Sequence, residues 1–543
     1  MKGAKLDSFK KLFWNDRQAI MLFLAVLAIG LAASAYLYSG PMPIYDDVYY
    51  LNCAHALITG NTTFIENEFC YPFLYIVPIA MSTNLFGNGS LQAVLPSIVE
   101  YSLLIFITFA IAYKIYGKYF ASAGTLMVAS APFLVGYATR VLSDIAVGLA
   151  VAISLSLFLL SISKKDTKLS LLSGFVAAVT IYIKIDAFFY VLLFLAANII
   201  EYRSIFRLRK IEKQKRIWKL KNLLASMAGL SIGILAYFAV FYFVLLDPFF
   251  PLQHFMTSPS TIGPLEELGI LFSPIAIHMP RTDIYQMFPL GPIAILAAIG
   301  SLSGLWKKDK RINYISFFNW SLFAYMIFGT SSLERYIPVP VVSRFFDMNA
   351  MMLGVLGGYA LFCIYDMANG SARRRQVLNL LFFAFIILVE LSYLPLYSDI
   401  NYYYYVGTLT ETREVYAQVS YIESNPISKN NATEVFVDGT PGIELLGLLF
   451  EEFAFKYSKS IDLHSTDYRN SFPSDAPSLI CNKSTAENGA YLIVLGNINS
   501  SYQTLQQKNY LADWLGKNCT ISFVKKIVNG SAQGIVPYIY KIK

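Results

Sequence analysis

Charge is what this sequence has least of. Asp, Glu, Lys and Arg together make up 14% of 543 residues, where a soluble globular chain carries about a quarter, so the soluble class is excluded. Histidine is also sparse: His55, His254, His278 and His464 are scattered, and none falls at a spacing that holds a metal ion. Residues 397–543 lack any apolar run long enough to cross a bilayer. The chain shows neither an internal repeat nor a low-complexity tract. The missing repeat argues against a secondary transporter or channel, since transporters are commonly built from repeated halves.

What fills the chain is apolar surface, 56% hydrophobic and 15% aromatic, with a mean hydropathy of +0.51. A membrane-spanning helix needs about 20 apolar residues. Eleven candidate spans follow, at about 19–38, 91–113, 119–138, 143–163, 169–183, 187–202, 222–246, 288–305, 312–330, 346–366 and 376–396. The fifth and sixth are short and meet at Lys184 and Asp186. The first span is long for a signal-peptide core and has no small-residue cleavage site before Gly40-Pro41-Met42-Pro43, so it reads as a retained helix. The stretch from Tyr71 to Phe86, with Pro72 and Pro78, is marginal for spanning and reads as an amphipathic element in the interface.

Basic residues set the orientation. The segments between alternate spans on one side hold 26 Lys and Arg, whereas those on the other hold Arg140, Lys184, Arg281, Arg335 and Arg344 before the tail. That asymmetry puts the N-terminus in the cytoplasm and, with an odd number of spans, everything after about 397 outside. The net charge of +8 thus reports on topology, and the basic stretches face anionic lipid rather than nucleic acid. Sequons at Asn61, Asn88, Asn431, Asn482, Asn499, Asn518 and Asn529 all fall on the outer side, with only Asn369 inside. Cys53 and Cys70 share the first outer loop and Cys481 and Cys519 the tail, so two disulfides or four free thiols are both open.

The expected fold class is a polytopic α-helical membrane domain over 1–396, followed by an extracytoplasmic α/β domain over 397–543. In the tail, Glu434–Asp438, Tyr491–Leu495, Ile521–Ile527 and Ile535–Lys541 read as strands, and Thr412–Ser424, Ile443–Tyr457 and Tyr502–Asn518 as helices. The outer loop Asp247–Phe288 carries six prolines and reads as a cover over the first outer loop.

The residues with chemistry lie in that first outer loop, 39–90. Asp46 and Asp47 follow the Gly-Pro breaker and precede Tyr49 and Tyr50, with a short helix expected over Val48–Leu57. Paired carboxylates at the mouth of a span serve proton transfer, or can hold a divalent cation that the sequence does not require. The plain alternative is a solvated turn. Glu100 and Glu390 lie within spans, each near enough to the outer end to reach the interface.

The order of several motifs resembles the GT-C membrane glycosyltransferases, in particular the group of protein O-mannosyltransferases and lipid A aminoarabinose transferases. The matching features are Asp46-Asp47, Tyr49/Tyr50 through Gly60-Asn61, Tyr71-Pro72-Phe73-Leu74-Tyr75, Ser143-Asp144, Lys184 with Asp186, and Arg335-Tyr336-Ile337-Pro338. The resemblance covers about residues 15–400. The family's Lys-Pro-Pro junction is replaced by Cys70-Tyr71-Pro72, its arginine before the second span is absent from Leu91–Leu95, and the Trp-Trp-Asp signature of oligosaccharyltransferases is missing.

The resemblance implies transfer of one sugar from a polyprenyl or dolichyl phosphate to a protein, lipid or glycan acceptor outside the membrane, with no required cofactor. It casts Asp46 as general base and Asp47 as a partner that orients the acceptor or a cation. Tyr49, Tyr50, Asp144, Lys184, Asp186, Arg335, Tyr336 and Arg344 become substrate-binding candidates, with Arg335, Arg344 and Lys184 facing the lipid phosphate. Taken singly, each of these cations reads as an interface anchor, and Asp144 and Asp186 as local caps or pair partners. A non-enzymatic scaffold whose tail binds a partner is the remaining alternative.

Overall fold

A computed structural model describes residues 16–36, 46–59, 70–87, 90–184, 187–202, 213–245, 291–328, 343–367 and five strands between 433 and 542. The chain divides into two compact units. Met1–Tyr38, Cys53–Ala80 and Val94–Ser398 form the first, and Ser39–Asn52, Met81–Ala93 and Asp399–Lys543 the second.

The helices of the first half are α1 (Arg17–Tyr36), α2 (Asp46–Thr59), α3 (Phe73–Phe86), α4 (Ser90–Tyr116), α5 (Lys118–Ala129), α6 (Pro132–Ala138), α7 (Asp144–Lys164), α8 (Thr167–Ile183) and α9 (Phe188–Tyr202). They are followed by α10 (Lys213–Leu245), α11 (Gly291–Lys307), α12 (Lys310–Phe328), a 3-10 helix over Ser343–Asn349 and α13 (Ala350–Met367). Among the described residues, five segments are long and apolar enough to cross a membrane by length and composition, namely Arg17–Tyr36, Leu91–Tyr116, Asp144–Lys164, Arg216–Phe243 and Phe346–Asp366. With 21 residues, α7 is about 30 Å long, the thickness of a bilayer core.

Ten of the eleven expected spans coincide with described helices, and the one at 376–396 lies outside the described residues. The third is broken: α5 ends at Ala129, and α6 restarts with Pro132 in its first turn. Proline has no N–H to donate and fixes its own φ, so it suits a helix start and interrupts a helix interior. The 71–86 stretch is a helix from Phe73, but it is not amphipathic. Leu74, Met81, Leu85 and Phe86 are exposed while Tyr75, Ile76, Ile79 and Ala80 are buried, so both faces are apolar.

Close helix pairs meet at glycine. A Cβ on Gly124 of α5 would lie 2.3 Å from the carbonyl oxygen of Gly354 and 2.9 Å from the Cα of Gly358, both on α13. Gly174 of α8 and Gly229 of α10 meet the partner helix's backbone at 2.0 Å in the same sense. Inside a membrane, helices gain little from hiding apolar surface, so such close backbone approach supplies much of their packing. Gly117, in the turn between α4 and α5, has a φ of 91° that other residues adopt only at a cost.

Charged residues gather at two ends of the first unit. At one end, Lys118 pairs with Asp16 at 3.0 Å, Lys310 with Glu201 at 2.5 Å and Lys307 with Asp366 at 2.7 Å. The hydroxyl of Tyr113 also donates to Asp16 at 3.3 Å, and that of Tyr314 to Glu201 at 2.6 Å. These residues adjoin the lysine- and arginine-rich connectors. Asp144 and Lys184 lie a full α7 length away, at the opposite end.

Within the second unit, β1 (Thr433–Asp438), β2 (Ile461–Thr466), β3 (Tyr491–Asn497), β4 (Ile521–Lys526) and β5 (Ile535–Ile542) form a mixed sheet in the order β2-β1-β3-β5-β4. β1 runs parallel to β2 and β3, with Thr433 opposite Ile461 and Val435 opposite Tyr491. β5 runs antiparallel to β3 and β4, with a bulge between Phe523 and Lys525. Four strands fall where the sequence places them, and β2 was not expected. The expected helices of the tail lie outside the described residues.

Candidate functional site

The acidic pair opens α2 instead of preceding it, so the helix begins two residues earlier than expected. Asp47 is fully buried, 0% exposed, and Tyr50 is 8% exposed. The plain alternative of a solvated turn does not describe Asp47, which is withdrawn from water. Asp46 and Tyr49 lie in the same turns of α2.

Two turns along α2, Cys53 is bonded to Cys70, with Cα atoms 5.3 Å apart. The bridge closes a segment with a sequence separation of 17 residues and fixes α2 against the start of α3. The loop-closure argument assigns such a bridge about 3 kcal/mol. Ser82 of α3 donates to the carbonyl of Gln92 at 2.6 Å, and Tyr75 and Ser97 approach at 3.3 Å, so α3 is tied to α4 in turn. Cys363 is free and buried, and Cys481 and Cys519 lie outside the described residues.

The first unit holds a separate charged cluster where α6 turns into α7. Asp144 is the first residue of α7 and its side chain is 2% exposed. Lys184, which ends α8, reaches it with Nζ 2.5 Å from Oδ1. Lys184 is therefore engaged by a carboxylate rather than standing alone as a cation. Arg140 is buried in the preceding turn, with its guanidinium 5.8 Å from the centre of the Tyr137 ring.

A third charge sits beside this pair that the sequence reading did not select. Asp347, 0% exposed, lies in the 3-10 helix, whose backbone packs against α7 at Gly148. A Cβ on Gly148 would sit 2.5 Å from the Asp347 carbonyl oxygen and 3.6 Å from its Cβ. Gly148 is one turn beyond Asp144 on the same helix face, so both aspartates flank the first turns of α7. The neglected signal was an ionisable residue at the head of an apolar run, Phe346-Asp347-Met348, which is costly unless it has a use. The same 3-10 helix carries Arg344 and is pinned at its end by Asn349, whose Nδ2 donates to Asn319 Oδ1 at 3.0 Å.

Of the remaining expected site residues, Asp186, Arg335 and Tyr336 lie outside the described residues. Among the described residues, no group of three His, Cys, Asp or Glu is arranged to hold a metal. Glu100, in α4, has its Oε2 buried without a hydrogen-bond partner among the described residues.

Residues 71–213 match the family model for dolichyl-phosphate-mannose-protein mannosyltransferases. That stretch contains α3 through α9, including Asp144 and Lys184. No curated protein matches the chain. Among solved structures, the chain is similar to ArnT from Cupriavidus metallidurans in the apo state, with a TM-score of 0.56 and 12% identity over 96% of this chain and 97% of that one. The same protein bound to undecaprenyl phosphate gives a TM-score of 0.53 and 12% identity, over 95% and 97%. The chain thus shares its fold with ArnT, and its residues 71–213 are similar to the mannosyltransferase family.

Proposed function

We propose that this protein transfers a single sugar from a polyprenyl- or dolichyl-phosphate carrier to an acceptor hydroxyl on the extracytoplasmic side of the membrane. The observation that carries the reading is the match to mannosyltransferases over 71–213, on a chain whose fold extends over nearly all of ArnT. One of the similar ArnT structures is bound to undecaprenyl phosphate, a carrier of the class proposed here.

Asp46 accepts the proton of the acceptor hydroxyl as that oxygen attacks the anomeric carbon. The new carbon–oxygen bond forms as the bond from that carbon to the phosphate oxygen breaks, with inversion, and the lipid phosphate leaves with the bonding electrons. Asp47 orients the acceptor or a divalent cation, and Tyr49 and Tyr50 line its approach. Arg335, Arg344 and Lys184 stabilise charge building on the departing phosphate, with Tyr336 and Asp186 beside them. Asp144 holds Lys184 in place. The Cys53–Cys70 bridge supports an oxidising, extracytoplasmic setting for α2, and the tail belongs on the same side.

The direct test is Asp46→Asn in a preparation whose folding and membrane insertion match the wild type. Loss of a general base lowers transfer by about 10²–10⁴-fold. Transfer at the wild-type rate, or an unchanged glycan profile in cells, would remove Asp46 from this role.

A further inference from the structure

At the end of the first unit opposite Asp144, the ion pairs leave a charge excess. Asp16 is taken by Lys118, Glu201 by Lys310 and Asp366 by Lys307. Asp309 holds Arg311, with Nη2 to Oδ2 at 3.1 Å. Lys114 near the end of α4 and Lys164 at the end of α7 are both half-buried, and no carboxylate pairs with either among the described residues.

These cations are close to one another. The charges of Lys164 and Arg311 both act on Lys114. The Phe158 and Tyr314 rings meet at 5.4 Å, which brings the last turns of α7 against the first turns of α12. Three cations from three helices thus converge, and of these three it is Arg311 that has a carboxylate, that of Asp309. Half-buried charges are weakly screened, so their repulsion persists unless an anion sits among them.

Helix ends explain only part of the pattern. A C-terminus favours Lys114 and Lys164, but Arg311 lies in the first turn of α12, where the helix dipole disfavours a cation and favours an anion. Trp306 and Tyr119, 89% and 61% exposed at this same end, sit where aromatic side chains mark lipid headgroups. We propose that Lys114, Lys164 and Arg311 form a binding site for the phosphate of an anionic lipid, at the headgroup level of the bundle's basic end. Basic pockets between membrane helices commonly take such headgroups.

The test uses the full chain in nanodiscs of mixed phosphatidylglycerol and phosphatidylcholine, with co-purified lipid counted by native mass spectrometry. The wild type should retain phosphatidylglycerol in preference to phosphatidylcholine. Each of Lys114→Gln and Lys164→Gln should weaken retention roughly fivefold, and the double variant by roughly the product. Lys168→Gln, on the exposed start of α8, should retain as much as the wild type. Because the double variant relieves repulsion, its lipid-free melting temperature should be unchanged or higher, which separates lost binding from lost fold. Equal retention of the two lipids by the wild type, or equal phosphatidylglycerol on wild type and double variant, overturns the site. Displacement of the lipid by an equal concentration of inorganic phosphate would make it a free-phosphate site and overturn the lipid assignment.

Discussion

Asp144 and Lys184 show how much rests on a single pair inside the bundle. With Asp144 2% exposed, removing the lysine leaves a buried carboxylate without this counter-ion, which costs about 3–5 kcal/mol. Lys184→Met should therefore destabilise strongly, and Asp144→Asn combined with Lys184→Met should recover much of the loss. Unfolding of the four proteins in detergent measures it, and simple additivity of the two single effects would contradict it. Asp16 is a milder case with a defined pH signature. Its hydrogen bond from Lys118 is the main reason its carboxyl titrates below the usual 3.8. A lowered value means the folded state favours the ionised form. The stabilisation is then complete above pH 3.8 and fades as pH falls through the lowered value. The melting-temperature advantage of wild type over Asp16→Asn should be constant near neutrality and shrink below about pH 4; an advantage that grows with acid would contradict the assignment.

The helices were legible because their signal is simple, and the exceptions have simple causes. Apolar length and basic flanks located α1, α4, α7 and α10, yet the break at Ser130-Ala131 was missed because the apolar run continues across it; only Pro132 marks the restart. The start of α2 was placed too late, since two aspartates after a proline-rich turn look like loop while serving as a first turn. β2 escaped because Ile461-Asp462-Leu463-His464-Ser465-Thr466 is too polar for a core strand, and its neighbour β1 supplies the pairing that fixes it. The acidic pair, Asp144 and Lys184 could be picked out by motif order. Asp347 could not, because its significance comes from a backbone contact with Gly148, 199 positions earlier in the chain. Glycines make an element-scale prediction possible. Gly229→Ala places a methyl 2.0 Å from the Leu171 carbonyl oxygen and should lower the melting temperature. Gly136→Ala, in α6 with nothing within 4 Å, should be neutral or stabilise by up to about 1 kcal/mol. Equal effects would mean that α8 and α10 are not held by close approach.

For the whole molecule, polarity is the organising property. Lys114, Lys118, Lys164, Lys307, Lys310 and Arg311 gather at one end of the first unit with Asp16, Glu201, Asp309 and Asp366, whereas Asp144 and Lys184 occupy the other. We read the basic end as cytoplasmic and the opposite end, with the Cys53–Cys70 bridge, as facing an oxidising space, which suits a carrier-linked sugar presented on the outer leaflet. The account stands on the claim that this chain consumes such a carrier. The most direct measurement reconstitutes the purified protein in liposomes with a polyprenyl-phosphate-linked sugar labelled in the sugar, and follows both released carrier phosphate and label joined to acceptor. The wild type should release and transfer stoichiometrically, and Asp46→Asn should do neither. Carrier-linked sugar that stays intact with every donor and acceptor offered, while the protein remains folded, would contradict that claim.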